Sequence, residues 1–429
     1  MRKKLFVTGI MILSLVTPVL NVSHAQVIKN AYSDSLLTLC KKNFNESLYK
    51  EAINLYKETD FEKLSAEELF YLGLSFNNLR ETIKASKYFE KAAELAADNK
   101  GYRIQLARTL SQLGKTDEAI KNYQTVIESD STNVTALYEL GLIYFDNRNY
   151  TDAIGIFNRL VTLNSNDFLS SYYLGYSMML STNPELAETA IKHLEHSVAI
   201  NQSYIPAISL LASSKFNLQK YYDANALYSM AIKLRPLNAD YHFRSGMCYE
   251  RLKFFSEAAD QYSKAVALDS NEASYFDHLG FVHYNLNNYD SAITAYKMAA
   301  SIDDNPAYFI NIGYTYAKMD SVKKSIESFQ KALALMPADK IGGIYNQIGA
   351  VYYAKKNYKE AKSAYEKSLL YYPGNIDAQF YIALINDKLM DWKNANLAYK
   401  KVVELAADDS LQTERVNFAN KRIKELKRR

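Results

Sequence analysis

Six histidines and two cysteines are the side chains best suited to metal or nucleophilic chemistry in this 429-residue chain. His193 and His196 stand three apart, which puts two imidazoles on one helix face, but no cysteine or third ligand lies near them. His278 and His283 are five apart and fall on different faces. There is no HExxH, no phosphate-cradling glycine loop and no GxSxG elbow. The acidic pairs Asp303-Asp304 and Asp408-Asp409 sit where helices are expected to end. No catalytic set, metal site or cofactor is therefore expected, and the chain is read as a non-enzyme. What it has in quantity is rings, 36 tyrosines and 19 phenylalanines. Rings supply apolar area and a stacking face, which is the chemistry of binding rather than of bond making.

The elements that position those rings repeat along the chain. From Ala273 to Asn305, Phe276, Leu279, Gly280 and His283 recur at spacings of three and four. A polar break at residues 285–288 follows, and Tyr289, Ala292, Ile293, Tyr296 and Ala299 resume the period. The stretch predicts helix, tight turn, helix. Gly280 and Ala292 must be small for two antiparallel helices to approach, with Tyr296 filling the space beside them. The first small slot recurs as Cys40, Gly73, Ala107, Gly141, Gly175, Ala212, Gly246, Gly280, Gly313, Gly349 and Ala383. The second recurs as Ala52, Ala85, Ala119, Ala153, Ala190, Ala224, Ala258, Ala292, Ser325, Ala361 and Ala395. Four residues later stands a ring in every unit except the fifth, which has Leu194.

These slots resemble the tetratricopeptide repeat, a helix-turn-helix unit of about 34 residues. The resemblance is to an exported bacterial member of that family. It implies an all-α, right-handed superhelix of eleven hairpins, a solenoid in which each unit buries its apolar face only against its neighbours. In proteins of this kind the first helices line a concave surface that takes an extended peptide or a partner's helix. The residues implied to project there are Phe70, Leu74, Tyr138, Leu142, Tyr172, Tyr176, Phe243, Met247, Phe281, Tyr314, Phe380 and Leu384. The carboxylate-gripping set of some relatives is absent, since Lys41, Arg108, Arg244 and Lys318 are scattered.

Four domains of unequal size are expected. Residues 1–25, with Arg2, Lys3 and Lys4 before an apolar run and Ser23-His24-Ala25 at its end, read as a secretory signal peptide. Residues 26–32 are a short leader, residues 33–409 the array, and residues 410–429 a basic C-terminal capping helix. In that helix Val416, Ala419, Ile423 and Leu426 form the apolar stripe, and Arg415, Lys421, Arg422, Lys424, Lys427, Arg428 and Arg429 the basic face. Losing residues 1–25 removes three basic and no acidic side chains, so the formal charge falls from +4 to +1, which argues against nucleic acid as a partner. Cys40 and Cys248 lie in units one and seven, too far apart for a disulfide, and are expected to pack as small apolar residues. Unit five carries a longer turn with Asn183 capping Pro184, and residues 339–343 add two more with a Gly-Gly pair.

The expected function is a non-catalytic interaction scaffold of the cell envelope, periplasmic or secreted, holding a protein or peptide along an aromatic groove. Two alternatives stay open. One is glycan or peptidoglycan binding through the same rings, with an anionic surface meeting the basic C-terminal helix. The other is an accessory subunit of a secretion or enzyme complex.

Overall fold

The computed structural model describes residues 22–406 and 410–427. Most of the expected signal peptide, and residues 407–409 and 428–429, lie outside the described residues. Among the described residues there are 23 α-helices, four short 3-10 turns and no strand. Twenty-two of the helices pair into the eleven expected hairpins, and Thr413–Leu426 stands last. The fold class is as the repeat predicts.

The chain forms two compact units, residues up to Gln202 and residues from Ser203 onward. The first holds hairpins one to five. Their helix pairs are Val22–Asn45 with Tyr49–Asn54, Ala66–Asn78 with Thr82–Leu95, Lys100–Gln112 with Thr116–Ser129, Val134–Asp146 with Tyr150–Leu163, and Phe168–Leu180 with Ala187–Ile200. The second holds hairpins six to eleven and the final helix. Its pairs are Ile205–Asn217 with Tyr221–Leu234, Ala239–Arg251 with Phe255–Leu268, Ala273–Asn285 with Tyr289–Ile302, Pro306–Lys318 with Val322–Leu335, Ile341–Ala354 with Tyr358–Tyr371, and Ile376–Lys388 with Trp392–Leu405. No linker composition marks the division at Gln202. The first helix, Val22–Asn45, runs through the expected leader, because no proline or glycine interrupts it.

Local chemistry sets the helix starts. The side chains of Asn99, Asn133, Asp167, Asn238, Asn305 and Asn375 each accept a hydrogen bond from an amide in the first turn that follows. Ser65 and Glu68 form the expected capping box. The turn between the two helices is equally regular. Ser47, Arg80, Gly114, Arg148, Gln219, Lys253, Asn287, Asp320, Lys356 and Met390 all have φ between 60° and 75°. Each lies seven residues after its first small slot. In hairpin eight the amide of Asn288 donates to His283 O at 2.9 Å, the six-to-one bond that closes a Schellman motif. Hairpin five alone has no such residue. Its longer turn is a 3-10 segment, Pro184–Leu186, with the Asn183 side chain accepting from the Glu185 amide.

Packing within a hairpin follows the slots. A Cβ added at Gly73, Gly141, Gly246, Gly280, Gly313 or Gly349 would stand 2.6–2.9 Å from the ring sixteen residues later. The rings Phe89, Tyr123, Phe157, Tyr262, Phe329, Tyr365 and Tyr399 are fully buried, as are Ala107, Ala292 and Ala383. Ser325, the one polar residue in the second slot, donates to Gly313 O at 2.8 Å, so its hydroxyl is satisfied. In hairpin five the insertion lengthens the spacing, and a Cβ at Gly175 would meet Leu194 Cγ at 2.9 Å and Ala190 O at 2.8 Å.

In hairpins four, seven and ten the buried ring is then covered by a ring from the following hairpin. Tyr173 stacks on Phe157 at 5.2 Å, Tyr381 on Tyr365 at 5.2 Å, and His278 lies 5.4 Å from Tyr262. The final helix does the same for hairpin eleven, with Phe418 6.1 Å from Tyr399. Ala419 and Leu426 are buried and Val416 and Ile423 half-buried, the expected apolar stripe. The basic face departs from a purely solvated one. Arg422 donates to both carboxylate oxygens of Asp387, at 2.7 and 2.8 Å, and also pairs with Glu425. Arg415 pairs with Asp377 and lies over the Phe380 ring.

Candidate functional site

Within each unit, first helices of neighbouring hairpins touch directly, as in hairpins three and four or ten and eleven. The second helices stand further apart, with clefts between them. The expected binding residues sit on the first-helix layer, at the position three before or one after the small slot.

In the first unit they gather on hairpins four and five. Tyr138, Leu142 and Tyr176 are half-buried there. Phe145 and Tyr173, absent from the expected set, complete the cluster. Phe145 lies 5.0 Å from Tyr176 and 5.4 Å from Tyr173, and Tyr138 lies 6.1 Å from Tyr173. Phe145 comes one helical turn after Leu142, so the helical period alone would have placed it on this face. Tyr172 departs from expectation. It is 8% exposed, held against Tyr173 and Tyr176, and is part of the packing rather than of the open surface. Phe70 is wedged between Phe89 at 5.7 Å and Tyr102 of the next hairpin at 4.6 Å, with half-buried Leu74 beside the same core.

In the second unit the named residues do not form one cluster. Phe243 packs between Tyr262 and Tyr275, and Met247 lies half-buried beside it. Phe380 packs between Tyr399 and Phe418, with Leu384 beside the same core. Phe281 and Tyr314 are the open ones, 42% and 38% exposed.

Polar side chains on this layer are tied to one another. Glu250 Oε2 accepts from the Tyr262 hydroxyl at 2.7 Å and lies 2.8 Å from His278 Nδ1. Burial, and then Glu250, pushes the Tyr262 phenol far above its ordinary value. Asn311 donates to Asp277 at 3.2 Å, yet burial still raises the Asp277 carboxyl. The scattered cations are also engaged: Lys41 with Glu67, Arg108 with Glu139, and Arg244 with Asp240.

Of the histidines, His196, His242 and His278 make hydrogen bonds within the fold. His196 Nε2 bonds Ser165 O at 2.7 Å. Burial lowers the pKa of His193, and the neighbouring His196 adds to the effect. Cys40 and Cys248 are buried free thiols, pushed by burial up to about 11 and about 12. Among the described residues no three His, Cys, Asp or Glu side chains are grouped to hold a metal ion, and no helix is long and apolar enough to cross a membrane.

Comparison with known proteins agrees with the slots. Among curated proteins, the chain is 32% identical over 106 residues to the cytochrome c-type biogenesis protein CycH of Pseudomonas aeruginosa, covering 24% of this chain and 26% of that one. It is 23% identical over 201 residues to the human protein O-mannosyl-transferase TMTC1, covering 46% of this chain and 22% of that one. The chain thus spans about a quarter of the length of the curated relatives it matches. Among solved structures, yeast Tom70 aligns over 93% of this chain and 97% of its own, with 15% identity and a TM-score of 0.38. Models of the tetratricopeptide repeat match residues 104–168, 209–273, 273–306, 306–339 and 343–375. Those segments span more than half of the chain and carry the same small-slot and ring positions that hold its hairpins together, so the chain belongs to the tetratricopeptide repeat family.

Proposed function

We propose that this chain is a non-catalytic scaffold that holds a protein or peptide partner on the open face of its first helices. One observation carries the reading: Tyr138, Leu142, Phe145, Tyr173 and Tyr176 form a contiguous, half-buried cluster on one layer of hairpins four and five. Rings held rigid by their neighbours lose little entropy on binding and offer pockets for a partner's apolar anchors. Binding in the cell envelope is part of the same proposal and rests on the composition of residues 1–25.

The test is recovery of a defined partner after crosslinking in the source cells. Leu142→Ala with Tyr176→Ala is the variant to use, because Tyr172 supports the fold. Removing two anchors is expected to weaken capture by roughly tenfold or more. Undiminished capture of the same partner by the folded variant would reject this face. Recovery of cytoplasmic material alone would reject the compartment.

A further inference from the structure

Besides the basic final helix, hairpins nine and ten carry a second surplus of positive charge. Residues 320–367 contain nine lysines against five carboxylates, a net +4 that equals the formal charge of all 429 residues. Lys355 pairs with Asp320, and Lys362 donates to Asn386. Lys359 and Lys367 pair with no carboxylate among the described residues, and the Lys367 ammonium stands 5.3 Å over the Tyr345 ring.

These two lysines rim a cleft of ≈ 390 Å³ between the second helices of hairpins nine and ten. Its floor is apolar, formed by Ile326, Leu333 and Ile348, and the rings of Tyr345 and Tyr352 line it. Glu360 is the single carboxylate on its wall. The structure contains its own comparison. The equivalent cleft between the second helices of hairpins three and four has the same apolar and tyrosine lining in Ile127, Leu140 and Tyr144. Its charged residues are Glu128, Asp152 and Arg159, the reverse balance. The fold therefore leaves an apolar cleft at both places, and only one is ringed for an anion.

We propose that the cleft between hairpins nine and ten docks an acidic peptide segment that inserts an apolar side chain against Tyr345 and Tyr352. Carboxylates flanking that anchor face Lys359 and Lys367. Such pairing sets the partner's register and raises the association rate, and the buried anchor supplies most of the affinity. This surface lies on the second-helix layer, so it is separate from the ring cluster of hairpins four and five.

The experiment is fluorescence anisotropy on the full chain with a fluorescein-labelled Glu-Glu-Leu-Phe-Glu-Glu amide at about 0.1 M salt, where surface charges are felt within about 10 Å. Lys359→Glu with Lys367→Glu, and separately Ser363→Trp to fill the cleft, are each expected to weaken binding by about tenfold or more. The three side chains border the cleft rather than the buried core, so thermal melts followed by circular dichroism should match the parent. Leu142→Ala with Tyr176→Ala should leave this binding unchanged. The proposal is overturned if the peptide does not bind, if the lysine and Ser363 variants bind it as tightly as the parent, or if the Leu142 and Tyr176 variant loses it. Equal binding of the Lys-Lys-Leu-Phe-Lys-Lys peptide would also overturn it. So would lysine-dependent binding of phosphatidylcholine/phosphatidylglycerol vesicles without peptide binding, which would assign the patch to a lipid surface.

Discussion

Gly280 lies flat against the ring of Tyr296: a Cβ built on residue 280 would stand 2.7 Å from both Cδ1 and Cε1 of that ring. The ring is 2% exposed and has nowhere to retreat. Gly280→Ala should therefore destabilise the second unit by about 1–3 kcal/mol through overpacking. Gly155, in the second helix of hairpin four, has open space on that side: a Cβ there would meet no atom within 4 Å. Gly155→Ala should accordingly stabilise by about 1 kcal/mol through helix propensity. Paired urea titrations check both signs, and two variants shifting the same way would contradict the slot argument.

The turns give an opposite glycine effect. Lys253 holds φ at 63°, a conformation that strains an L side chain by about 1–2 kcal/mol. Lys253→Gly should relieve that strain for a net gain of about 0.5–1 kcal/mol, after the extra freedom it adds to the unfolded chain. Gly114, at φ 75°, is the one turn already filled by glycine, and Gly114→Ala should cost about 1 kcal/mol. Denaturant midpoints moving in the same direction for the two variants would count against this account.

Two aspartates should respond to pH with opposite signs. Asp130, hydrogen-bonded by Lys100 and then by Thr132 and Asn133, is lowered to about 2. Its contribution is complete above the ordinary carboxylate range and is lost as pH falls through about 2. Carbon-detected titration should find its carboxyl there, moving up in Lys100→Met. Asp277 is raised by burial, so the folded state holds its proton longer than the unfolded one and stability falls as pH rises through that window. Asp277→Asn should be more stable than the parent at pH 7 and not at pH 3. A melting temperature lower than the parent's at pH 7 would reverse this assignment.

Asp387 and Arg422 join the last hairpin to the final helix, with side chains only 13% and 23% exposed. Asp387→Ala leaves a partly buried guanidinium with Glu425 as its remaining carboxylate, at a cost of about 1–3 kcal/mol. Hydrogen exchange should quicken in Thr413–Leu426 and stay unchanged in Ala66–Asn78. Uniform quickening along the chain would show that the contact is not local.

The hairpins were legible because their information is local: a small residue, another twelve later and a ring sixteen later sit within one unit. The same arithmetic exposed hairpin five, where Leu194 replaces the ring and the turn is longer. The left-handed turn residues are not legible in the sequence because nine of the ten are not glycine, among them Arg148, Lys253 and Met390. Their conformation is imposed by the bonds that close the helix, not by residue type. The inward turn of Arg415 and Arg422 was hidden for a different reason. Their partners, Asp377 and Asp387, are more than thirty residues upstream and look like ordinary surface acids. The burial of Tyr172 is not legible either, because tyrosines on one helix face look alike until packing covers some of them. The lysine-rimmed cleft needs three helices to form, and no single unit displays it.

The covering of the hairpin-four and hairpin-ten rings by the succeeding hairpin gives those parts of the array a direction. Phe157 waits for Tyr173, and Tyr365 waits for Tyr381. During translation at roughly 5–20 residues per second, about two to seven seconds separate one unit of this length from its successor. Throughout that interval hairpin four or ten, while it is the newest, shows an unshielded aromatic at its leading edge, and the hairpin behind it is already in place. A stalled ribosome would thus leave one sticky end rather than a wholly misfolded chain.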